Sequence, residues 1–511
     1  MSPPNVLWIM TDQFNANCMS FLGSQCRTPN LDRLADEGVC FERAYANNHI
    51  CAPSRACFWS GQYLHTHGLQ GNYTTLYPEN NPDAMPALFR RNGYRTALVG
   101  KAHMPRLWSE EGFERRRYTD LIDALPSDPT TCHYFQYLDE RGLAGWYEEG
   151  SARPGAPRPD DGSQPSHLPY EHSIEHFTGE QTLQFLEDGR DDDRPFFIHM
   201  SFQRPHGPIR PAPEHFGLYD PNEIELPASA ADWFERGFAT KPEFMQKALE
   251  GGCGYPLADS NPGPLRRVLA SYYALIYCID MEIGRVLDWL RENGEYDNTI
   301  VVFTADHGDF AGEHGLFHKN FGIYESIHRI PFLLRMPDGP TGERREGIIE
   351  SIDMYPTLCE LAGLNTPDAV EGESLVPVLR DEGGGKSEAL CEWSWGGPVS
   401  RINALRTDRY RLVYYSHEIG GELYDHQDDS GEMVNRWGDP DYEDVRRELT
   451  ERLFDRVNEY RATLEMSDDG KLRRRHRYQP SRLVQFGCVD WEEFKEVCEK
   501  NAPARPPFKE E

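Results

Sequence analysis

The sequence has no long apolar run. No stretch approaches the ~20 residues of a membrane-spanning helix, so no membrane partner is expected. It is also short of positive charge: 53 basic residues face 84 acidic ones, a formal net charge of −31. Such a surface repels nucleic acid and anionic lipid, which argues against both as main partners. The one basic run, residues 471–477, reads as a solvated or subunit-contact segment. No CxxC pair recurs among the twelve cysteines. The first residues carry only a short apolar run, Val6 to Met10, without the basic flank of a secretion signal. A cytoplasmic protein with mostly reduced, buried thiols is expected. Internal repeats are also missing.

What is present is alternation. The 511 residues exceed a single core, which stops growing near ~250–300 residues. Short apolar runs at 5–10, 96–99, 196–201, 299–304 and 331–335 read as strands, separated by helical patterns. Residues 28–38 read as a helix capped by Thr28, with Pro29 in its first turn and Gly38 at its end. Apolar residues recur at helical spacing over 265–290, and the segment 151–169, rich in Pro, Gly and Asp, reads as a surface loop or lid. The fold class is α/β, a large, mostly parallel sheet flanked by helices. Residues 381–386, with three consecutive glycines, read as a linker. They separate a catalytic domain at 1–380 from a smaller α+β domain at 387–465 with an antiparallel sheet. Strands are predicted at 410–415 and 422–424 and a helix over 443–465. The tail, 466–511, has Trp491, Phe494 and Val497 at helical spacing, a possible oligomer contact.

Residues 49–61 read His-Ile-Cys-Ala-Pro-Ser-Arg-Ala-Cys-Phe-Trp-Ser-Gly. Pro53 suits a first helical turn and Gly61 a helix end, which puts Cys51 at a helix N-terminus. Free N–H groups and the dipole favour an anion there, so a thiol at that place is acidic. Arg55, four residues on, is placed to orient whatever Cys51 becomes. The plain alternative is a helix start with a buried cysteine.

Cys51-Ala-Pro-Ser-Arg55 resembles the Cys-x-Pro-Ser-Arg signature of type I sulfatases, in the alkaline phosphatase superfamily. The resemblance implies an alkaline-phosphatase-like fold and conversion of Cys51 to formylglycine by a formylglycine-generating enzyme. Hydrated formylglycine carries two hydroxyls on one carbon; one attacks sulfur and the other later expels sulfate by re-forming the carbonyl. Serine has no such exit.

Met10-Thr-Asp-Gln13 and Thr304-Ala-Asp-His-Gly308 each end a predicted strand, where α/β sheets assemble their sites. In the superfamily these turns supply metal ligands, which implies Asp12, Gln13, Asp306 and His307, with residue 51, around one divalent cation. Hard oxygen donors favour Ca2+, and the imidazole admits Mn2+. Asp-Gln paired with Asp-His also resembles phosphonate monoester hydrolases and choline sulfatases. His65-Thr-His67 lacks further ligands at suitable spacing and reads as a loop, not a zinc pair.

Gly100-Lys-Ala-His103, Pro205-His-Gly-Pro208 and His314-Gly-Leu-Phe-His-Lys319 resemble further sulfatase segments. They imply Lys101 on the sulfuryl oxygens, His103 as the base on the spare hydroxyl, His206 as the acid on the leaving oxygen, and Lys319 on the bridging oxygen. Asn72 is a candidate donor to a non-bridging oxygen. Each alone has a solvated or structural reading; what unites them is that Asp12, Lys101, His206 and Asp306 each follow a predicted strand and converge on one sheet edge. Ser351-Ile-Asp-Met-Tyr-Pro-Thr357, Gly372-Glu-Ser-Leu375 and Glu422-Leu-Tyr-Asp425 extend the likeness over roughly residues 5–465.

The implied function is hydrolysis of small-molecule sulfate monoesters, arylsulfatase-like and promiscuous towards phosphate and phosphonate esters. A phosphonate monoester hydrolase or phosphodiesterase with the same nucleophile is the alternative, and the Lys101–His103 pair favours sulfate. A non-catalytic relative should have lost Cys51, Asp306 or Lys319, and none is lost. The acidic surface and long tail suggest a homo-oligomer.

Overall fold

β1 (Asn5–Asp12) is buried at every position, so its sequence shows no polar alternation: it runs between parallel neighbours with both faces covered. It belongs to a computed structural model that describes residues 3–458 except 70, 73–80, 82, 104–111, 121–131, 147–163, 190, 244, 247–260, 320–321, 394–400 and 417–419, together with 464–466 and 472–474. The other strands of its sheet are β2 (Val39–Tyr45), β3 (Arg95–Gly100), β4 (Arg115–Tyr118), β5 (Phe196–Pro205), β6 (Thr299–Ala305), β7 (Arg329–Ile330), β8 (Phe332–Arg335) and β9 (Glu343–Glu350). Their order is β4-β3-β5-β1-β6-β8-β2-β7, with β9 paired to β2. From β4 to β6 all pairs are parallel; β8 then runs antiparallel to both β6 and β2.

The five strands expected from apolar runs are β1, β3, β5, β6 and β8. The others were not expected, and for β4 and β9 the reason is composition. β4 reads Arg-Arg-Arg-Tyr and β9 reads Glu-Arg-Arg-Glu-Gly-Ile-Ile-Glu, half-exposed strands whose composition carries little apolar signal.

The long helix Gly263–Glu292 packs its apolar side on this sheet through residues such as Leu269, Ile276, Ile283 and Leu287. It also corrects one expectation. The helix Pro29–Asp36 is not capped by Thr28, whose hydroxyl bonds instead with Ser20 and Asp32. Its free N–H groups are taken by the Asp280 carboxylate of the long helix, which accepts from Asn30 N at 3.0 Å and Leu31 N at 2.8 Å.

A second sheet is antiparallel throughout: β10 (Glu388–Trp393), β11 (Ile402–Thr407), β12 (Tyr410–Tyr415) and β13 (Gly420–Asp425). The helix Glu443–Asn458 buries Leu449 and Leu453 against Leu390, Leu405, Leu412 and Leu423. The expected extension of this helix to 465 is wrong. Leu464–Met466, the end of that stretch, is strand β14, which pairs with β15 (Leu472–Arg474) as a hairpin. Gly383, Gly384 and Gly385 all have positive φ, and Lys386 is pinned by Glu350 and Asp353, each at 2.6 Å.

Among the described residues nine cysteines are free and buried, and no helix is long and apolar enough to cross a membrane. Residues 151–163 of the expected lid lie outside the described residues, as do Trp491, Phe494 and Val497 and all of the basic run but 472–474.

Candidate active site

Four adjacent parallel strands, β3-β5-β1-β6, end on one edge of the sheet and deliver Lys101, His206, Asp12 and Asp306 there. The turn after β3 needs glycine: Gly100 sits at φ +108°, and a Cβ on it would lie 1.7 Å from the Ser201 carbonyl oxygen. That turn sends Lys101 Nζ to within 2.6 Å of Asp12 Oδ2.

Cys51 is the first residue of the helix Cys51–Ser60, buried along its whole length. Its N-terminus is capped by Asn72, whose Oδ1 accepts from Ala52 N at 3.1 Å. Cys51 Sγ lies 3.6 Å from Asp12 Oδ1, 3.3 Å from His307 Nε2 and 2.7 Å from Lys319 Nζ. Burial and Asp12 push this thiol up, but Lys101, Lys319 and His307 outweigh them and bring it down to about 6. Unmodified protein should therefore show the ultraviolet absorbance of one thiolate at neutral pH, lost as pH falls through about 6. A midpoint near ~8.5, the ordinary thiol value, would show that the two lysines do not act on it.

Arg55 directs its hydrogen bonds to groups other than residue 51. One helical turn on, it points under the site: Nε donates to Asp306 Oδ2 at 2.9 Å, Nη2 to Asp12 Oδ2 at 3.2 Å, and Nη1 to the Lys101 carbonyl and Ser201 Oγ. It thus ties together the ends of four strands. Ser54, its neighbour in the motif, donates to the Asp306 carbonyl at 2.5 Å.

The donor set suits a divalent cation. One ligand atom each from Asp12, Cys51, Asp306 and His307 lies within 4.8 Å of every other. His307 Nδ1 bonds the Gly308 carbonyl at 2.9 Å, which turns Nε2 towards Asp306, Asp12 and Cys51, where it also meets Lys319 Nζ at 2.9 Å. Asp12 and Asp306 differ electrostatically. Burial raises both, but Lys101, His206, Lys319 and Arg55 overcome it at Asp12, whereas at Asp306 burial and the Asp12 charge prevail.

Gln13 supports this set at φ +65°, its N–H donating to Asp306 Oδ1 at 3.1 Å. Its side-chain amide donates to Asp309 Oδ2 at 2.6 Å and meets His318 Nδ1 at 3.0 Å. The His206 N–H donates to the Asp12 carbonyl at 3.2 Å, and its Nδ1 bonds the Gly207 carbonyl. His103 lies at φ +48°, with its N–H on Asp120 Oδ1, while Ala102 N donates to Asp120 Oδ2. Burial, then Lys101, lowers the His103 imidazole to about 3.

Sequence reasoning did not single out Asp309, Asp120, Ser201 or Ser54. Asp309 follows the Asp306-His307 pair by two residues, a signal that was there to read; Asp120 acts through the fold and left none. His65 and His67, read as a loop, form a short helix Leu64–His67, with His65 bonded to Glu392 and His67 to Cys57.

The family profile named Sulfatase matches residues 4–364. The chain belongs to the sulfatase family. A second profile, the C-terminal part of N-sulphoglucosamine sulphohydrolase, matches residues 312–459. By family this sulfatase is a sulfuric ester hydrolase. It is 28% identical to an N-acetylglucosamine-6-O-sulfatase of Bacteroides thetaiotaomicron over 90% of this chain and 87% of that one. It is 29% identical to an arylsulfatase of Clostridium perfringens, covering 89% and 96% of the two chains. The solved phosphonate monoester hydrolase of Silicibacter pomeroyi superposes with a TM-score of 0.77 at 26% identity, covering 93% of this sulfatase and 100% of that chain. The alkaline-phosphatase-like architecture expected from the motifs is thus shown.

Proposed function

We propose that this sulfatase hydrolyses sulfate monoesters, arylsulfatase-like in its breadth, with formylglycine at position 51 and one divalent metal. The observation that carries this is the placing of Cys51 Sγ among Asp12, His307 and Lys319, at 3.6, 3.3 and 2.7 Å. The sulfur stands in for the oxygens of formylglycine, whose geminal hydroxyls supply a nucleophile and a later route for sulfate release. Asp12, Gln13, Asp306, His307 and residue 51 would hold the cation, Ca2+ for the hard oxygens or Mn2+ for the imidazole, and it would stabilise negative charge beside residue 51. Gln13 steadies the Asp306 carboxylate from its backbone N–H.

The chain's own residues do the rest. Lys101 and Lys319 bring two positive charges to the reacting centre and bind the ester's oxygens, where developing charge is neutralised in a largely dry setting. His103 is held neutral, the state a base needs to take the proton of the spare hydroxyl. Burial likewise keeps His206 neutral; a bound anionic ester opposes that effect, so His206 can gain and then give a proton to the leaving oxygen. The Asn72 carbonyl is engaged with Ala52, which leaves its NH2 group for a non-bridging oxygen.

Phosphonate monoester hydrolysis is the second reading, favoured by the architecture shared with the Silicibacter enzyme. Turnover of an aryl sulfate, a phosphonate monoester and a phosphodiester on one preparation separates the two. The sulfate should lead, and Lys101→Ala or His103→Ala should lower sulfate turnover most, by about 10²-fold or more. A large phosphonate preference would reverse the assignment.

A further inference from the structure

Glu432 lies after β13, buried at 1% exposure, with a left-handed backbone at φ +52°. A residue with a side chain stays in that conformation only where its surroundings fix it. Here they do so from two directions. One carboxylate oxygen accepts from Arg411 Nε and pairs with His426 Nε2 at 2.8 Å, tying Glu432 to the antiparallel sheet. The other accepts the Glu325 N–H at 2.7 Å, and the Glu432 carbonyl accepts Lys241 Nζ at 2.5 Å.

Both contacts lead to the site. Glu325 opens the single turn Glu325–His328, and its own carboxylate takes Arg406 Nε at 3.0 Å and Arg411 Nη2. That turn presses on the loop after β6: the Ile327 carbonyl accepts Gly308 N at 2.8 Å, and a Cβ on Gly308 would lie 2.0 Å from the Ser326 carbonyl oxygen. The Gly308 carbonyl in turn fixes His307 Nδ1. On the other path, Lys241 Nζ is 3.3 Å from Asp232 Oδ2, which meets His314 Nδ1 at 3.0 Å. His314 belongs to the loop leading to Lys319, in which Ala311, His314 and His318 all have positive φ.

Glu325, His426 and Glu432 also have the spacing of a cation site. Their carboxylates are already matched by Arg406 and Arg411, whose charges would oppose an added cation, so the cluster acts as a latch.

We propose that Glu432 is a positioning residue through which the antiparallel sheet holds His307 and Lys319 in register with Cys51. This rests on the metal reading above. A merely structural buried carboxylate provides the comparison: Glu282 on the long helix, bonded to Tyr170, His176 and Arg285. Hydrogen exchange over residues 303–319 and Mn2+ affinity are measured on the full chain for wild type, Glu432→Gln and Glu282→Gln, each folded by circular dichroism. Glu432→Gln should speed exchange in that segment about fivefold or more. It should also weaken Mn2+ about tenfold, as loss of support behind a ligand does, while Glu282→Gln stays within about twofold on both. Equal behaviour of the two variants would overturn the proposal. Should Glu432→Gln fail to fold, Arg411→Lys, which keeps the charge and loses the fork, carries the same comparison. Faster exchange in a protein whose wild type and Asp306→Asn forms bind Mn2+ equally would uphold the positioning role and defeat the metal reading instead.

Discussion

Cys51→Ala should bring turnover of every ester down by ~10⁴ to 10⁶-fold, the loss seen when a covalent nucleophile is removed. The reason is local. Lys101, Lys319 and His307 surround one atom, Cys51 Sγ, and without a reactive group there they have nothing to act on. Cys51→Ser should also be inactive in steady state, since an ester formed on serine lacks the second hydroxyl that releases it. Its diagnostic is a burst: at most one equivalent of alcohol released, with the ester retained on the Cys51–Ser60 helix. Peptide mass spectrometry of wild type made with an active formylglycine-generating enzyme should show the aldehyde at position 51. Full activity from a protein whose residue 51 is still a thiol would end the formylglycine reading.

Arg55→Ala should cost stability more than any other single change at the site. Arg55, Asp12 and Asp306 are all fully buried, and the guanidinium bonds both carboxylates. Removing it leaves two carboxylates with fewer donors in a dry interior, a loss of about 3–5 kcal/mol in the urea-unfolding free energy. Lys101 still neutralises Asp12, so Asp306 is the more exposed to this loss, and burial already pushes its carboxyl up. Arg55→Lys should recover part of the loss, because one ammonium cannot reproduce the fork. A change below about 1 kcal/mol, the worth of a surface pair, would mean that the carboxylates have other counter-ions.

Much of this was legible in the chain. β1, β3, β5 and β6 are buried on both faces, so their sequences are apolar runs, and the residues after them could be placed on one edge before any coordinates. Cys51 and Asp306 carried their own motifs. Polar strands were not legible: β4 and β9 earn their pairing from neighbours far along the chain, not from local composition. Nor was the true partner of Arg55. The spacing of four suggested residue 51, but the helix turns its guanidinium towards two carboxylates supplied from positions 12 and 306. The cap on the Pro29–Asp36 helix failed for the same reason, since Asp280 is distant in sequence and Thr28 was engaged elsewhere.

The ends of β3, β5, β1 and β6 fix the chemistry, while residues 104–195 and 207–298 are the connections that join the end of β3 to the start of β5 and the end of β5 to the start of β6. Their lengths can therefore change between relatives without moving the reacting groups, because each strand end is held by its neighbours in the sheet. Insertions and deletions in those two stretches offer such a lineage a way to exchange one alcohol partner for another while hydrolysis itself is inherited intact.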